Sequence, residues 1–124
     1  MTARPKFEYV RSPKLLEACR RLACQHCGRR DGTVCAAHSN WAVHGKGRGI
    51  KASDIYVAAM CHHCHAQLDQ GGAWSDDQRR LFWWLPHQLT VLQLVRLGLW
   101  PAKVRKPDVS APPPGFLLQE EPAP

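Results

Sequence analysis

Two Cys-x2-Cys pairs, one short β-prone run and several stretches of helical periodicity predict a small α+β fold braced by a metal ion. The pairs are Cys24 with Cys27 and Cys61 with Cys64. Two such knuckles can place four thiolates tetrahedrally around one structural zinc. At 124 residues the chain is expected to form one domain with arms. The expected division is an N-terminal arm and helix over 1–23, the metal-braced core over 24–72, a helical hairpin over 73–100 and a proline-rich tail over 101–124.

Each element has a local cause. Residues 1–11 are basic and read as irregular. Ser12-Pro13 reads as an N-cap followed by proline at the first helical position. Leu15, Leu16, Ala18, Cys19 and Leu22 then form an apolar stripe, so a helix ending before Cys24 is expected to pack on the metal core. Gly28 closes the first knuckle, and Asp31-Gly32 signals a turn. The run Thr33-Val34-Cys35-Ala36-Ala37-His38 reads as a strand ending at His38.

Gly45-Lys46-Gly47-Arg48-Gly49 interleaves three glycines with two cations. Such a hairpin can bring backbone amides and the cations Lys46, Arg48 and Lys51 to substrate phosphate. It lacks the Walker pattern, so it is not an ATP loop. Ser53 and Asp54 each read as a cap for a short turn. Residues 55–60 are apolar and lead into the second knuckle. His62 to Gln70 reads as a helix stopped by Gly71-Gly72. Leu68 is expected to face the core, with His65 and Asp69, at i and i+4, on another face.

Ser75-Asp76-Asp77 opens a further helix, its acids at the positive end of the dipole. Pro86 is expected to break it, with Gln88 to Leu97 forming a second helix. From Pro101 onward, 7 of 24 residues are proline, too little apolar material to fold alone.

Charge narrows the partner. Lys and Arg number 17 against 10 Asp and Glu, a formal net charge of +7. Residues 1–60 hold 11 of those cations and only 4 of the acids, so the whole excess lies in the half containing the first knuckle and the glycine-rich loop. A polyanion, most simply nucleic acid, is the expected partner. A second copy of the chain is a further candidate, through the 74–100 helical region. No apolar run reaches the roughly 18 residues of a membrane span, and no apolar segment follows the basic start. The expectation is therefore a cytoplasmic chain without membrane contact, whose cysteines ligate metal rather than pair as disulfides. Cys19 and Cys35, left over by the knuckles, are expected as small buried thiols.

The histidines outside the strand end and the second knuckle draw modest expectations. His26, His62 and His63 lie within the knuckles and are expected to point outward or cap. His44 reads either as a phosphate contact or as a surface residue, and His87 as a surface or packing residue.

The ordered combination is more specific than any piece of it. Ala37-His38-Ser39-Asn40, then Gly45 to Asp54, then Cys61-x2-Cys64-His65-x3-Asp69 resembles the HNH endonuclease superfamily, with its ββα-metal core. Within it the chain is similar to the phage and prophage nuclease group that includes the Ref and YbcO-like proteins. The resemblance covers about residues 24–72. It implies a zinc-braced ββα-metal core and a metal-dependent nuclease that hydrolyses DNA phosphodiester bonds in the cytoplasm of a bacterial host or phage-infected cell. It implies His38 as the general base, His65 and Asp69 as ligands of a catalytic divalent ion such as Mg²⁺ or Mn²⁺, and the four cysteines as the zinc brace. The chain departs from the common pattern at Ala37, where many relatives carry a further ligand, and at Tyr56, where many carry asparagine. Asp54 or Asn40 is left to support His38, and His38 itself is open as a metal ligand. The competing reading is a non-catalytic zinc module that binds nucleic acid.

Overall fold

The computed structural model describes residues 7–70 and 72–113. In chain order these form α1 (Pro13–Arg20), β1 (Cys35–His38), a 3-10 turn (Ala42–His44), β2 (Val57–Met60), α2 (His62–Gln70) and α3 (Asp76–Arg96). The class is the expected mixed α+β, a two-stranded sheet with three helices.

Local signals act as they read. Ser12 Oγ accepts the Leu15 N–H at 3.2 Å with Pro13 next to it, which starts α1. Leu15, Ala18, Cys19 and Leu22 are buried, one face of the helix and its exit. The strands pair antiparallel, Cys35 opposite Met60 and His38 opposite Val57. Ala36, Ala37, Ala58 and Ala59 make both strands thin, so helices approach closely: α1 packs chiefly on β1, and α3 on β2. Every residue of β2 is buried.

The expected helical hairpin is a single helix. Pro86 lies inside α3, which runs unbroken from Asp76 to Arg96. Proline in a helix interior costs about 3 kcal/mol through its missing N–H and its clash with the preceding turn. The buried face explains why the helix persists. Trp83, Trp84, His87, Thr90, Val91 and Leu94 keep helical phase across the proline. Three of them bond the sheet directly. Trp83 Nε1 donates to the Ala37 carbonyl at 2.9 Å. His87 Nδ1 donates to the Val57 carbonyl at 2.8 Å. Thr90 Oγ1 accepts the Ala59 N–H at 2.9 Å. Breaking α3 at Pro86 would tear this face from the strands.

The N-terminal arm is irregular but anchored. Tyr9 Oη donates to the Gly45 carbonyl at 2.7 Å, and Val10 N–H to Ser53 Oγ at 2.9 Å. Gly45 sits at φ +93°, and a Cβ there would meet the Phe7 ring at 2.6 Å, so the position requires glycine. At the other end, Trp100, Val104 and Val109 join the core, and Gln88 Nε2 donates to the Val109 carbonyl at 2.7 Å. The beginning of the proline-rich tail is therefore a docked strap. Residues 1–6 and 114–124, together with Gly71, lie outside the described residues.

Two histidines sit inside this core. His44, read as a phosphate contact or a surface residue, is buried, with Nδ1 2.6 Å from Ser39 Oγ and its ring stacked on Tyr56. His87 is fully buried, and its Nε2 has no hydrogen-bond partner among the described residues. Burial pulls both imidazoles down to about 4, with the charge of His87 adding to the effect on His44. Both are therefore neutral in the folded protein at pH 7. In the unfolded chain they protonate near pH 6.5, so stability is whole above that value and falls as pH drops toward 4. Each is expected to cost on the order of 3 kcal/mol across the window. The pH slope of denaturant melts between pH 6.5 and 4.5 is expected to be about one proton smaller in His87→Gln than in wild type, the proton uptake of the four brace thiolates being common to both. A slope unchanged by that substitution would contradict the assignment.

Candidate metal centre and catalytic cleft

The four cysteines converge. The Sγ atoms of Cys24, Cys27, Cys61 and Cys64 all lie within 4.8 Å of one another. The first pair stands in the loop after α1 and the second at the joint of β2 with α2. Tetrahedral zinc with Zn–S bonds of about 2.3 Å has sulfur–sulfur edges of about 3.8 Å. Cys27 Sγ lies 3.7 Å from Cys61 Sγ. The donor set therefore suits one zinc. Each knuckle turns its own N–H inward, Cys27 N–H to Cys24 Sγ and Cys64 N–H to Cys61 Sγ, both at 3.5 Å. His26 caps the cluster from outside, Nδ1 3.4 Å from Cys64 Sγ.

Electrostatics explain why this cluster calls for a cation. Burial pushes the Cys24 thiol up, but the backbone N–H groups of Cys27, Cys61 and His26 outweigh it and bring it down to about 7. Burial and the neighbouring thiols push Cys64 strongly up. One negative charge is stabilised and the next is resisted, and a dication at the centre removes that resistance.

A second group of side chains meets beyond the brace. His38, at the end of β1, places Nε2 2.8 Å from Asp54 Oδ1. Asp54 is no turn cap. Its buried carboxylate also accepts the Ser12 N–H at 2.8 Å and the Arg11 guanidinium at 3.3 Å. It thus joins the N-terminal arm to the candidate base. Of the two residues left open to support His38, Asp54 makes the contact, whereas Asn40 lines the adjoining cleft.

His65 is hung from the brace, its N–H bonded to the Cys61 carbonyl at 2.9 Å. Its Nε2 lies 3.4 Å from Asp69 Oδ2, the i,i+4 neighbour. Its Nδ1 lies 3.3 Å from Cys35 Sγ. Cys19 is fully buried as expected, but Cys35 is only partly buried. Burial pushes the Cys35 thiol up, and the nearby Arg20 opposes this.

His38, Asn40, Lys51, His65 and Asp69 line one cleft of about 400 Å³, together with Arg20 and Cys35. Lys51 reaches this cleft from the hairpin, in which Gly47 bridges to Ile50. Lys46 and Arg48 stand on the same hairpin and are not among the residues lining the cleft. A smaller pocket that shares His38 and Asn40 with the cleft is lined by Trp41, Arg79 and Arg80 among others. Sequence pattern did not mark Arg20, Cys35, Arg79 or Arg80 as site residues: Cys35 reads only as a small buried thiol, and none of the four has a motif neighbour.

Among the described residues, the four-cysteine cluster is the one group of three or more donors close enough to share an ion. His38 is not gathered with His65 and Asp69 into a common ligand set. Its engaged Nε2 leaves it placed beside the His65–Asp69 pair rather than within it.

No family model, curated protein or solved structure matches the chain. The functional reading therefore rests on the site. That site places a four-cysteine cluster able to hold a metal ion beside a cleft carrying two histidines and a carboxylate.

Proposed function

We propose that the protein is a metal-dependent endonuclease that hydrolyses phosphodiester bonds of DNA, of the HNH type its motifs resemble. The observation that carries the reading is the shared cleft, in which His38 faces the same space as His65, Asp69 and Lys51. Phosphodiester hydrolysis needs a base for the attacking water and positive charge at the phosphate and leaving oxygen. His38 takes the water's proton, and Asp54 orients the ring and stabilises the imidazolium that forms. His65 and Asp69 hold the divalent ion, which supplies Lewis acidity at the phosphate when bound. Lys51 and Arg20 add fixed positive charge along the cleft. Zinc at the four cysteines braces the scaffold and takes no part in the chemistry.

A second reading has its own support. The bond from His38 to a buried, ion-paired carboxylate would also suit a purely structural tie, which favours a zinc-braced nucleic-acid-binding module. Supercoiled plasmid separates the two. Incubated with zinc-loaded protein and Mg²⁺ or Mn²⁺, it is expected to be nicked, and EDTA is expected to stop the reaction. DNA binding without cleavage under every ion would leave the binding module as the better account.

The hairpin cations are assigned to substrate phosphate in either case. Changing Lys46, Arg48 and Lys51 together to alanine is expected to weaken binding to all DNA sequences. The log–log salt slope should fall by about one for each phosphate that is no longer neutralised. Unchanged affinity and slope would make the loop a connector only.

The remaining proposals concern surroundings. No helix among the described residues is long and apolar enough to cross a membrane. The cytoplasm of a bacterial host or phage-infected cell is the proposed location. Leu81, Leu85, Leu89, Leu92 and Val95 are exposed on α3, the face proposed for a homodimer. A monomeric mass in solution at working concentrations would dispose of that dimer.

A further inference from the structure

We propose that Cys35 is the positioning residue of the candidate ion site: its Sγ accepts the Nδ1 proton of His65 and so directs the Nε2 lone pair to the ion shared with Asp69. The inference rests on the reading of His65 and Asp69 as ion ligands.

The two ring nitrogens of His65 have different partners. Nε2 lies 3.4 Å from Asp69 Oδ2, and Nδ1 lies 3.3 Å from Cys35 Sγ. Two neighbouring ligands each about 2.1 Å from an octahedral Mg²⁺ or Mn²⁺ stand about 3.0 Å apart, so the 3.4 Å pair needs to close by only a few tenths of an ångström to share an ion. An imidazole that binds a cation through one nitrogen carries its proton on the other, and that N–H needs an acceptor. Cys35 Sγ is the atom placed to accept it. The sulfur is not itself a third ligand, because Cys35, His65 and Asp69 do not bring their donor atoms within 4.8 Å of one another.

The placement follows from the sheet. Cys35 pairs with Met60, the residue before Cys61 of the brace, while His65 is bonded back to the Cys61 carbonyl. The same strand register therefore sets both the brace and the contact behind His65. Without an ion, the thiol can donate to Nδ1 while Nε2–H faces Asp69. With an ion on Nε2, the proton must sit on Nδ1 and the sulfur becomes the acceptor. Ion binding thus switches the tautomer, and Cys35 serves both states because a thiol both donates and accepts.

The test uses full-length protein with zinc already at the four cysteines. Mn²⁺ binding is measured by calorimetry, and the His65 tautomer by nitrogen-15 NMR with and without Mg²⁺. Wild type is expected to bind one further ion, with the proton on Nδ1 in the bound state. Cys35→Ala is expected to lower that affinity about ten- to hundred-fold, with zinc content and thermal melting retained. Cys35→Ser, whose hydroxyl also donates and accepts, is expected to recover most of the loss. Should the alanine variant fail to fold, the serine variant and the wild-type tautomer still decide the matter. Equal affinity in wild type and Cys35→Ala overturns the proposal and leaves the ion site standing, whereas a bound state with the proton on Nε2 overturns both, since that nitrogen then has no lone pair for the ion. A thiolate-to-metal charge-transfer band on adding Co²⁺ to the zinc-loaded protein, absent in Cys35→Ser, would make Cys35 a ligand and overturn it too. Absence of any further ion in wild type would remove the ion site itself, and the proposal with it.

Discussion

Stripping the ion from the four cysteines is expected to unfold the domain rather than loosen one loop. Cys24, Cys61 and Cys64 belong to the same buried cluster as Leu15, Met60 and Leu94, so the brace is part of the core. It joins the segment after α1 to the junction of β2 and α2, and His65 is hung from that junction. Structural zinc contributes about 10–16 kcal/mol of apparent binding free energy in small domains. A domain's net stability is typically about 5–15 kcal/mol, so the loss is of the same size as the whole. A strong chelator should abolish the cooperative thermal transition seen by circular dichroism, and adding zinc back should restore it. Cys61→Ser should have a similar effect, since its sulfur is fully buried. A chelated, metal-free chain with an unchanged melt would refute the brace.

His38→Ala and His65→Ala are expected to lose cleavage in different ways. Removing a general base typically costs about 10²–10⁴ in rate. The base acts mainly in the transition state, so His38→Ala should retain DNA affinity and the zinc brace. Its fold should survive as well, because Asp54 keeps its bonds to the Ser12 N–H and to Arg11. His65→Ala should lose cleavage together with the second ion, and excess Mg²⁺ should recover only part of it. Single-turnover cleavage, DNA binding and ion stoichiometry measured on the same preparations separate these outcomes. Wild-type cleavage rates in His38→Ala would remove it from the mechanism.

Much of this architecture was legible in short-range pattern. Ser12-Pro13 starts α1 as read, and the i,i+4 spacing of His65 and Asp69 puts them side by side on α2. The paired cysteine spacing anticipates the cluster because a knuckle fixes its own local geometry. What sequence did not disclose depends on neighbours distant along the chain. Pro86 obeys no local rule, because Trp83, His87 and Thr90 hold both halves of α3 to the sheet. Asp54 reads as a turn cap or, with Asn40, as a candidate support for His38, and nothing local foretells its bonds to Ser12 and Arg11. His44 lies just before a glycine-rich basic loop but is folded under it against Tyr56. Cys35 has no motif of its own, and only the pairing of β1 with β2 carries it to His65.

The most direct test is the position of the second ion. Crystals of the zinc-loaded protein soaked in Mn²⁺ can be measured for anomalous scattering. The predicted result is a manganese peak in the cleft beside His38, about 2.1 Å from His65 Nε2 and an Asp69 carboxylate oxygen and distinct from the zinc at the four cysteines. Anomalous density confined to the four-cysteine site, with the His65–Asp69 pair closed on itself, would contradict the proposed nuclease centre.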